Sequence, residues 1–210
     1  MIRFFNAFTK ITAWPVQALC FRTKVCYEDR AVQDRHIRGS AIVISNHTSV
    51  YDYAVYLFVF FFRTLRFQMA EVLFSKQPLG LFLRAMGGIR VDRDAFDFSF
   101  VAKSEQILRR GGVVGIFPES RLPKPDEARP LPFRPSAAYL ALSSGAPVIP
   151  VYTNGSYFRR SRARVIIGKP VDAASLVDPD LSEKEQLAQV SELLRLRIIE
   201  LGRMLDEKTR

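Results

Sequence analysis

The sequence predicts an α/β domain, with a mostly parallel central sheet that is flanked by helices. Three features of the chain indicate this fold class. Short apolar runs that are typical of strands alternate with longer segments of helical periodicity. The runs AIVIS at residues 41–45 and VVGIF at residues 113–117 are almost wholly apolar, as in a sheet covered on both faces. Polar clusters follow these runs directly, at the strand ends where ligands bind in such sheets.

The bounds of the predicted strands and helices follow from the local pattern of apolar residues and from the glycines and prolines that end each segment. Apolar runs predict the strands, and helical periodicity predicts the helices. Gly87-Gly88 and Gly111-Gly112 end two helices, and five prolines between residues 121 and 135 predict a surface loop. In chain order, we predict strands at residues 41–45, 65–70, 88–91, 113–117, 147–152 and 164–168, and helices at residues 51–62, 77–86, 96–110, 136–144 and 182–205.

Residues 1–26 differ from the rest, and we predict that they form an amphipathic helical segment ahead of one domain at residues 27–210. Large apolar side chains recur there at roughly helical spacing, with basic residues between them, and Pro15 is expected to interrupt the helix. The segment is expected either to lie in a membrane interface or to pack on the domain core. The apolar run at residues 53–62 has ten residues, fewer than the roughly 18 that a membrane-spanning helix needs.

The charge of the chain favours anionic partners. The formal net charge is +10, and residues 1–170 carry 25 Lys and Arg against 12 Asp and Glu. A basic body suits nucleic acid, anionic lipid or phosphorylated substrates. We expect no nucleic-acid partner, because no such motif is recognisable and the aromatic residues lie in apolar runs. Cys20 and Cys26 lack metal-site spacing and are expected to be reduced, in a protein that faces the cytosol.

His47 and Asp52 form the first cluster that could carry chemistry. His47 follows the predicted strand at residues 41–45, and Asp52 comes five residues later. In one continuous helix these side chains would point about 140° apart, so they meet only if His47 lies on the turn before it. A carboxylate on one imidazole nitrogen supports a proton taken up by the other, which makes the pair the base half of a catalytic triad. The alternative is a helix cap beside a surface ion pair.

Three further clusters lie at or beside predicted strands, at residues 87–94, 115–121 and 146–152. The Gly87-Gly88 pair lets backbone approach a ligand, and Arg93 suits a phosphate; an ordinary turn with surface ion pairs is the alternative. Glu119 and Arg121 end a buried strand, where Glu119 is expected to orient Arg121 or Arg93, or else to form a solvated pair. The run APVIPVY at residues 146–152 suits an edge strand or a bulge.

In this order and spacing, the four clusters resemble the lysophospholipid or 1-acylglycerol-3-phosphate O-acyltransferase family, also called glycerolipid acyltransferases. That family carries NHxSxxD, a glycine-rich stretch that ends in arginine, FPEGTR, and a VxPV-like strand. NHTSVYD at residues 46–52 matches fully, VIPVY matches well, and GGIRVDR matches with Arg90 where an aromatic residue is usual. The resemblance covers about residues 38–170.

The third motif departs from the family pattern after Glu119. Ser120 stands where the family has glycine. Next, either the threonine is missing and Arg121 has moved up by one position, or Leu122 replaces the arginine. This difference concerns the site for the acceptor headgroup more than the base.

The resemblance implies a reaction and roles for several residues. His47 would take the proton from an acceptor hydroxyl, which attacks the thioester of acyl-CoA or acyl-carrier protein, and Asp52 would orient His47. The expected acceptor is a lysophospholipid, with 1-acylglycerol 3-phosphate giving phosphatidic acid. The alternatives are another acceptor such as a lyso-aminolipid, or a non-catalytic membrane-binding relative. The residues expected to bind the substrate are Arg93, Glu119, Arg121, Asn46 and Ser49.

The resemblance also implies partners and a location. It implies no metal, no cofactor beyond the acyl donor as co-substrate, and no covalent acyl-enzyme. It places residues 27–210 as the acyltransferase domain and residues 1–26 on a membrane lipid surface. We therefore expect a peripheral or monotopic enzyme of phospholipid biosynthesis at the cytoplasmic face of the cell membrane.

Overall fold

The computed structural model describes residues 1–92, 99–158 and 162–208. Within these residues, seven strands form one sheet: β1 (Lys24–Tyr27), β2 (Ala41–Ser45), β3 (Leu65–Ala70), β4 (Ile89–Val91), β5 (Val113–Ile116), β6 (Val148–Thr153) and β7 (Arg164–Ile167). Their order across the sheet is β1-β7-β6-β2-β5-β3-β4. Neighbouring strands pair in parallel, except that β6 and β7 are antiparallel. The predicted fold class, an α/β domain with a mostly parallel sheet, is confirmed.

Helices cover both faces of this sheet. The helices are α1 (Ile2–Val16), α2 (Asp52–Val59), α3 (Val72–Ser75), α4 (Leu79–Met86), α5 (Ser99–Arg109), α6 (Ser136–Ser144) and α7 (Glu183–Glu207). The last one begins where the capping-box spacing places it, with the Ser182 backbone N–H donating to the Glu185 carboxylate over 3.0 Å. The short helix α3 has no counterpart among the predicted elements. Residues 96–98 of the predicted helix at 96–110 lie outside the described residues.

Strand β2 shows why both faces must be covered. All five of its residues are buried, and successive side chains point to opposite faces. Ala41 and Val43 pack with side chains of α2, whereas Ile42 and Ile44 pack with side chains of α5, α6 and α7. Burying the valine and isoleucine side chains among these stabilises the fold by about 1.5–3 kcal/mol each. The central strand is thereby fixed in register, and the loop after it is held at the carboxyl edge of the sheet.

The N-terminal helix continues past the point where an interruption is predicted. Pro15 lies inside α1, and the chain passes directly into a π-helical turn at Gln17–Phe21 that ends at Arg22. The predicted break at Pro15 is therefore wrong. A proline removes one backbone donor, and the wider π turn lets the helical course continue beyond it.

Strand β1 has no counterpart among the predicted elements either, because residues 24–26 belong to the predicted helical segment. Residues 24–27 pair in parallel with β7 at the edge of the sheet. The boundary predicted at residue 26 therefore falls inside a strand, and the sheet begins before it. Four residues are too few to show a clear alternation of apolar and polar side chains, which is why the pattern did not reveal this strand.

Helix α1 is fixed to the body by an unusual buried lysine. Lys10 is 3% exposed, and its ammonium donates to the carbonyls of Phe60, Phe61 and Arg63 over 3.2, 3.0 and 2.7 Å. These carbonyls follow the end of α2, where backbone acceptors lack partners within the helix. Burial lowers the pKa of Lys10 to about 8. Lys10 therefore joins α1 to the end of α2, which stops short of the predicted residue 62.

Candidate active site

The candidate site lies at the carboxyl edge of the sheet, where loops leave β2 and β5. His47 follows β2 after one residue, and Glu119 follows β5. Because β2 and β5 are paired in parallel, their carboxyl ends lie side by side. Asp52 is the first residue of α2, which leaves the same edge. The topology thus brings together residues from the first and third motifs.

His47 and Asp52 meet in the way that their spacing requires. The imidazole Nδ1 lies 2.8 Å from Oδ2 of Asp52, with His47 on the turn and Asp52 in the first turn of the helix. A carboxylate accepts only, so Nδ1 carries the proton of this hydrogen bond. The other ring nitrogen, Nε2, is then the one able to take a proton from a substrate.

Asp52 is completely buried, and its carboxylate is held by five hydrogen bonds. Besides the His47 ring, Oδ2 accepts from the backbone N–H groups of Thr48 and Ser49 over 2.7 and 2.9 Å. Oδ1 accepts from the hydroxyl groups of Thr48 and Tyr157 over 2.9 and 2.7 Å. Donors on both oxygens offset the cost of burying the charge. The carboxylate therefore has one fixed orientation toward His47.

Tyr157 is a site residue that sequence reasoning missed. It is buried, lies 105 residues from Asp52 in the chain, and also contacts the hydroxyl of Thr153. Burial, then the Asp52 charge, raises its pKa, so its phenol stays protonated as a donor. Gly155 precedes it with φ +64°, and a Cβ there would lie 2.5 Å from the Thr48 hydroxyl oxygen. No local pattern near residue 157 signals this contact.

The imidazole of His47 is also supported from its face. The ring of Phe117 stacks on it with 4.3 Å between centroids and 15° between planes, and Phe67 stacks in turn on Phe117 at 5.0 Å. A glycine makes room for this row of rings, because a Cβ at Gly115 would lie 2.6 Å from atoms of the Phe67 ring. The ring plane of His47 is thus supported by Phe67 of β3 and by Phe117 just after β5, in addition to the hydrogen bond with Asp52.

Glu119 and Asn46 hold the loop that carries His47. Glu119 is 4% exposed, and its two oxygens accept from the backbone N–H groups of His47 and Leu131 over 2.7 and 2.8 Å. Burial raises its pKa, while these backbone donors lower it. Asn46 forms two 2.9 Å hydrogen bonds with the backbone of Thr153 on β6. In this geometry both side chains serve as supports of the loop, and a direct contact with substrate stays a prediction.

An apolar cavity of about 330 Å³ borders His47. Its walls come from the loop after β2, the end of β3, α3 and α4, and the turn after β5. The lining residues include His47, Met69, Ala70, Leu83, Ser120 and Arg121. The cavity has a base at one side, hydrocarbon along its walls, and an arginine among its lining residues.

The remaining predicted site residues have different surroundings. Arg121 forms two 2.6 Å hydrogen bonds with Glu127, not with Glu119, so the expected pairing with Glu119 is corrected. Its side chain is half exposed. The Ser49 hydroxyl accepts from the Tyr51 backbone N–H over 3.2 Å. Arg93 lies outside the described residues.

Ser120 adopts a backbone conformation that favours glycine. Its φ is 63°, in the left-handed region, and its N–H donates to the Phe117 carbonyl over 3.0 Å. A side chain with Cβ is strained in this region by roughly 1–2 kcal/mol. This explains in physical terms why the resembling family has glycine at the same place, and it marks the turn after β5 as a constrained one.

We expect Ser120→Val to lower the stability of the fold and Ser120→Gly not to lower it. Glycine relieves the left-handed strain, so Ser120→Gly is expected to be neutral or to stabilise the fold by up to about 1 kcal/mol. Valine is branched at Cβ, and its cost at this φ is about 1–3 kcal/mol. The urea midpoints of the two variants measure the difference. A Ser120→Val midpoint equal to that of the wild type would show that this turn is not strained.

The comparisons with known proteins agree with the geometry. A family model described as Acyltransferase matches residues 24–154, more than half of the chain. The 1-acyl-sn-glycerol-3-phosphate acyltransferase of Bacillus subtilis is 29% identical over 148 residues, which cover 68% of this chain and 71% of that protein. The human 1-acyl-sn-glycerol-3-phosphate acyltransferase beta is 25% identical over 158 residues, covering 73% of this chain and 56% of the human protein.

A solved structure shows the same fold. The crystal structure of the 1-acyl-sn-glycerophosphate (LPA) acyltransferase PlsC from Thermotoga maritima aligns with a TM-score of 0.64 at 21% sequence identity. The alignment covers 96% of this chain and 79% of that one.

Proposed function

Because the chain belongs to the acyltransferase family, as an enzyme of the 1-acylglycerol-3-phosphate acyltransferase type, we propose that its acceptor is 1-acylglycerol 3-phosphate. The donor is acyl-CoA or acyl-carrier protein, and the product is phosphatidic acid. The observation that carries the acyl transfer is the His47–Asp52 pair at the edge of an apolar cavity, and the named activity of the Bacillus subtilis relative supports this acceptor. The intact His47–Asp52 pair argues against the non-catalytic alternative, because a lipid-binding module has no need of it.

The proposed reaction is a direct transfer. The Nε2 atom of His47 takes the proton of the acceptor hydroxyl as its oxygen attacks the thioester carbonyl carbon. The tetrahedral intermediate then collapses, the carbon–sulfur bond breaks, and the thiol leaves with the proton from the imidazolium. Asp52 stabilises the imidazolium between these two steps, as an aspartate does in a catalytic triad. The acceptor oxygen is the nucleophile, so no side chain becomes acylated.

The cavity beside His47 suits a fatty acyl chain. Its walls are mainly hydrocarbon, from residues such as Met69, Ala70 and Leu83. An acyl chain placed there is removed from water, at about 0.8 kcal/mol per methylene. The thioester would then lie at the cavity's polar end next to His47. We therefore propose that this cavity holds an acyl chain during transfer.

Narrowing the cavity should shorten the acyl chain that the enzyme accepts. Ala70→Phe adds a ring at the lining, so we expect kcat/KM for long-chain acyl-CoA to fall about tenfold or more. The rate with a short-chain donor should change much less. The control is Ala102→Phe, at an exposed position of α5. An equal loss for short and long donors would mean that this cavity does not hold the chain.

The acceptor phosphate is proposed to bind at the turn after β5. Arg121 lines the cavity, and its partner Glu127 forms a half-exposed ion pair with it. Exposed pairs contribute little, so a phosphate could replace Glu127 at small cost. Arg93, from the second motif, is proposed as the other phosphate ligand. Glu119 supports this turn through the Leu131 backbone N–H.

The changed third motif motivates a second acceptor, a lyso-aminolipid. Ser120 stands in place of the family's glycine at the turn proposed to hold the headgroup, and after it either a threonine is missing or Leu122 replaces the arginine. A panel of acceptors separates the two: lysophosphatidic acid, glycerol 3-phosphate, lysophosphatidylcholine and a lyso-aminolipid, each with acyl-CoA. The highest kcat/KM with lysophosphatidic acid supports the proposal. Turnover with the lyso-aminolipid alone would mean that the acceptor is the lyso-aminolipid, while the proposed acyl-transfer chemistry stays the same.

We propose that the enzyme works on a membrane surface, bound at the cytoplasmic face. No helix in the described residues is long and apolar enough to span a bilayer. One face of α1 packs on the body, and the other exposes large apolar side chains: Phe4, Phe8, Ile11 and Trp14 are 56–79% exposed. An amphipathic helix with such a face is suited to the headgroup boundary.

Removing part of this apolar face should weaken membrane binding. In the double variant Phe8→Ser/Trp14→Ser, we expect the partition coefficient onto phosphatidylcholine vesicles to fall about tenfold or more. Uncharged vesicles isolate the apolar contribution. The control Tyr139→Ser changes an exposed aromatic residue on α6, which covers the other face of the sheet. Unchanged partition of the double variant would refute binding through α1.

A further inference from the structure

A second cavity lies at the edge of the sheet opposite His47. It has a volume of about 350 Å³ and is enclosed by α1, the segment after α2 and the residues before β3 and β5. Strands β3 and β5 begin at Leu65 and Val113, so this cavity borders the amino ends of the parallel strands. His47 follows the carboxyl end of β2. The two cavities are therefore separate sites, and the mechanism above does not use this one.

Positive charge is concentrated in this second cavity. Its lining includes Arg3, Lys10, Arg63 and Arg66, and no aspartate or glutamate is among the described residues that line it. Burial lowers the pKa of Arg66, and the nearby guanidinium groups of Arg3 and Arg110 lower it further. Holding like charges together in a half-buried place costs free energy. An anion in the cavity would offset that cost.

The four basic residues of the lining differ in whether their side chains already have hydrogen-bond partners in the protein. Lys10 donates to backbone carbonyls after α2, and the guanidinium of Arg63 donates to the carbonyls of Gly39 and Gly111 over 2.7 and 2.8 Å. These two hold the cavity wall in place. Arg3 and Arg66 form no hydrogen bond or ion pair with the described part of the chain. Two planar guanidinium groups are thus left for a ligand, and such groups match phosphate oxygens.

The lining also includes a buried asparagine that joins α1 to α4. Asn6 is 1% exposed, and its Nδ2 donates to the carbonyls of Ile2 and Met86 over 3.2 and 2.9 Å. Its Oδ1 is buried and receives no hydrogen bond from the described residues. Buried polar atoms without a partner are rare in folded proteins. This oxygen is not accessible to solvent, so the contacts proposed for a ligand are those of Arg3 and Arg66.

From these observations we propose that the second cavity is a binding site for a phosphate group, distinct from the active site. The source is either the headgroup of an anionic lipid, such as a phosphoglycerol, or a free phosphate. The rim favours the lipid, because Phe62 at 63% exposure and the exposed apolar face of α1 adjoin the cavity. The site would then fix α1 on the membrane through a headgroup in addition to apolar contacts.

The test compares two double variants that lose the same charge. Arg3→Gln/Arg66→Gln changes the proposed ligands, and Lys184→Gln/Arg203→Gln removes two exposed charges from α7. The measurement is binding to vesicles of equal parts phosphatidylglycerol and phosphatidylcholine, and to phosphatidylcholine alone. Losing two charged hydrogen-bond donors should weaken binding to the anionic vesicles about tenfold or more in the first variant. The α7 variant should lose about fivefold at most.

Inorganic phosphate at constant ionic strength distinguishes the two sources. One outcome is that phosphate raises the Tm of the wild type but not that of Arg3→Gln/Arg66→Gln, while these two proteins bind vesicles equally well. The site then takes free phosphate. Reduced vesicle binding of the site variant alone identifies the lipid headgroup. The proposal would be overturned if the two double variants had the same vesicle binding and the same change of Tm with phosphate, because only net charge would then matter.

Two controls separate this proposal from folding and from the proposed function. The conservative variant Arg66→Lys keeps the charge without the planar fork, and we expect intermediate vesicle binding from it. Thiol release with micellar lysophosphatidic acid should be unchanged in Arg3→Gln/Arg66→Gln, because neither residue lines the cavity beside His47. Loss of vesicle binding together with a wild-type rate would show a folded enzyme that lacks only this site.

Discussion

His47→Ala is expected to abolish most of the acyl transfer while leaving the fold intact. Removing a general base costs about 10²- to 10⁴-fold in rate. The loss should appear in kcat, because the acyl chain and the headgroup are proposed to bind elsewhere in the site. The carboxylate of Asp52 keeps four donors without the imidazole, from Thr48, Ser49 and Tyr157. Its buried charge therefore still has hydrogen-bond donors, and the Tm of the variant should fall by only a few degrees.

The other histidine is the matched control for this experiment. His36 is half exposed and pairs with Asp34, and its ring stacks on Phe62. His36→Ala should keep the wild-type rate of thiol release from acyl-CoA. If His47→Ala also kept it, the assignment of the base would be refuted.

Asp52→Asn is expected to have the second largest effect on activity. The amide keeps the shape of the carboxylate but loses the charge that stabilises the imidazolium of His47, and the corresponding change in a serine protease triad costs about 10⁴-fold. We expect kcat to fall by about 10²- to 10⁴-fold, with little change in KM. Stability should fall too, by about 1–3 kcal/mol, because an NH₂ group now faces donors that the carboxylate accepted from.

Tyr157→Phe separates the charge of Asp52 from its positioning. That variant removes one donor to Oδ1 and leaves the carboxylate charged and bound to His47. We expect a loss of about tenfold or less in kcat from it. A larger effect from Tyr157→Phe than from Asp52→Asn would show that Asp52 acts through the fold rather than through its charge.

Local pattern was sufficient for much of the sheet. The predicted strands at residues 41–45 and 65–70 agree with β2 and β3 at both ends. Apolar runs bounded by turn residues report burial directly, so they locate strands well. The meeting of His47 with Asp52 was also predictable, because it depends on only five residues and on the change from strand to helix.

Contacts between distant parts of the chain were not predictable in the same way. Tyr157 reaches Asp52 across 105 residues, and Phe117 stacks on His47 because β2 and β5 happen to be neighbours in the sheet. Such contacts depend on the order of the strands, which the sequence pattern does not specify. The partner of Arg121 was misjudged for a related reason, since Glu127 lies within the proline-rich loop whose course has no periodic signal.

Whether the acceptor hydroxyl attacks the thioester directly can be measured through the dependence of thiol release on the acceptor. Purified enzyme and acyl-CoA are mixed first, and lysophosphatidic acid is added afterwards, while thiol and phosphatidic acid are both quantified. Direct attack by an acceptor hydroxyl that His47 activates predicts no thiol release before the addition and one thiol per phosphatidic acid after it. A burst of thiol equal to the enzyme concentration before any acceptor is present would indicate an acylated side chain and contradict the mechanism.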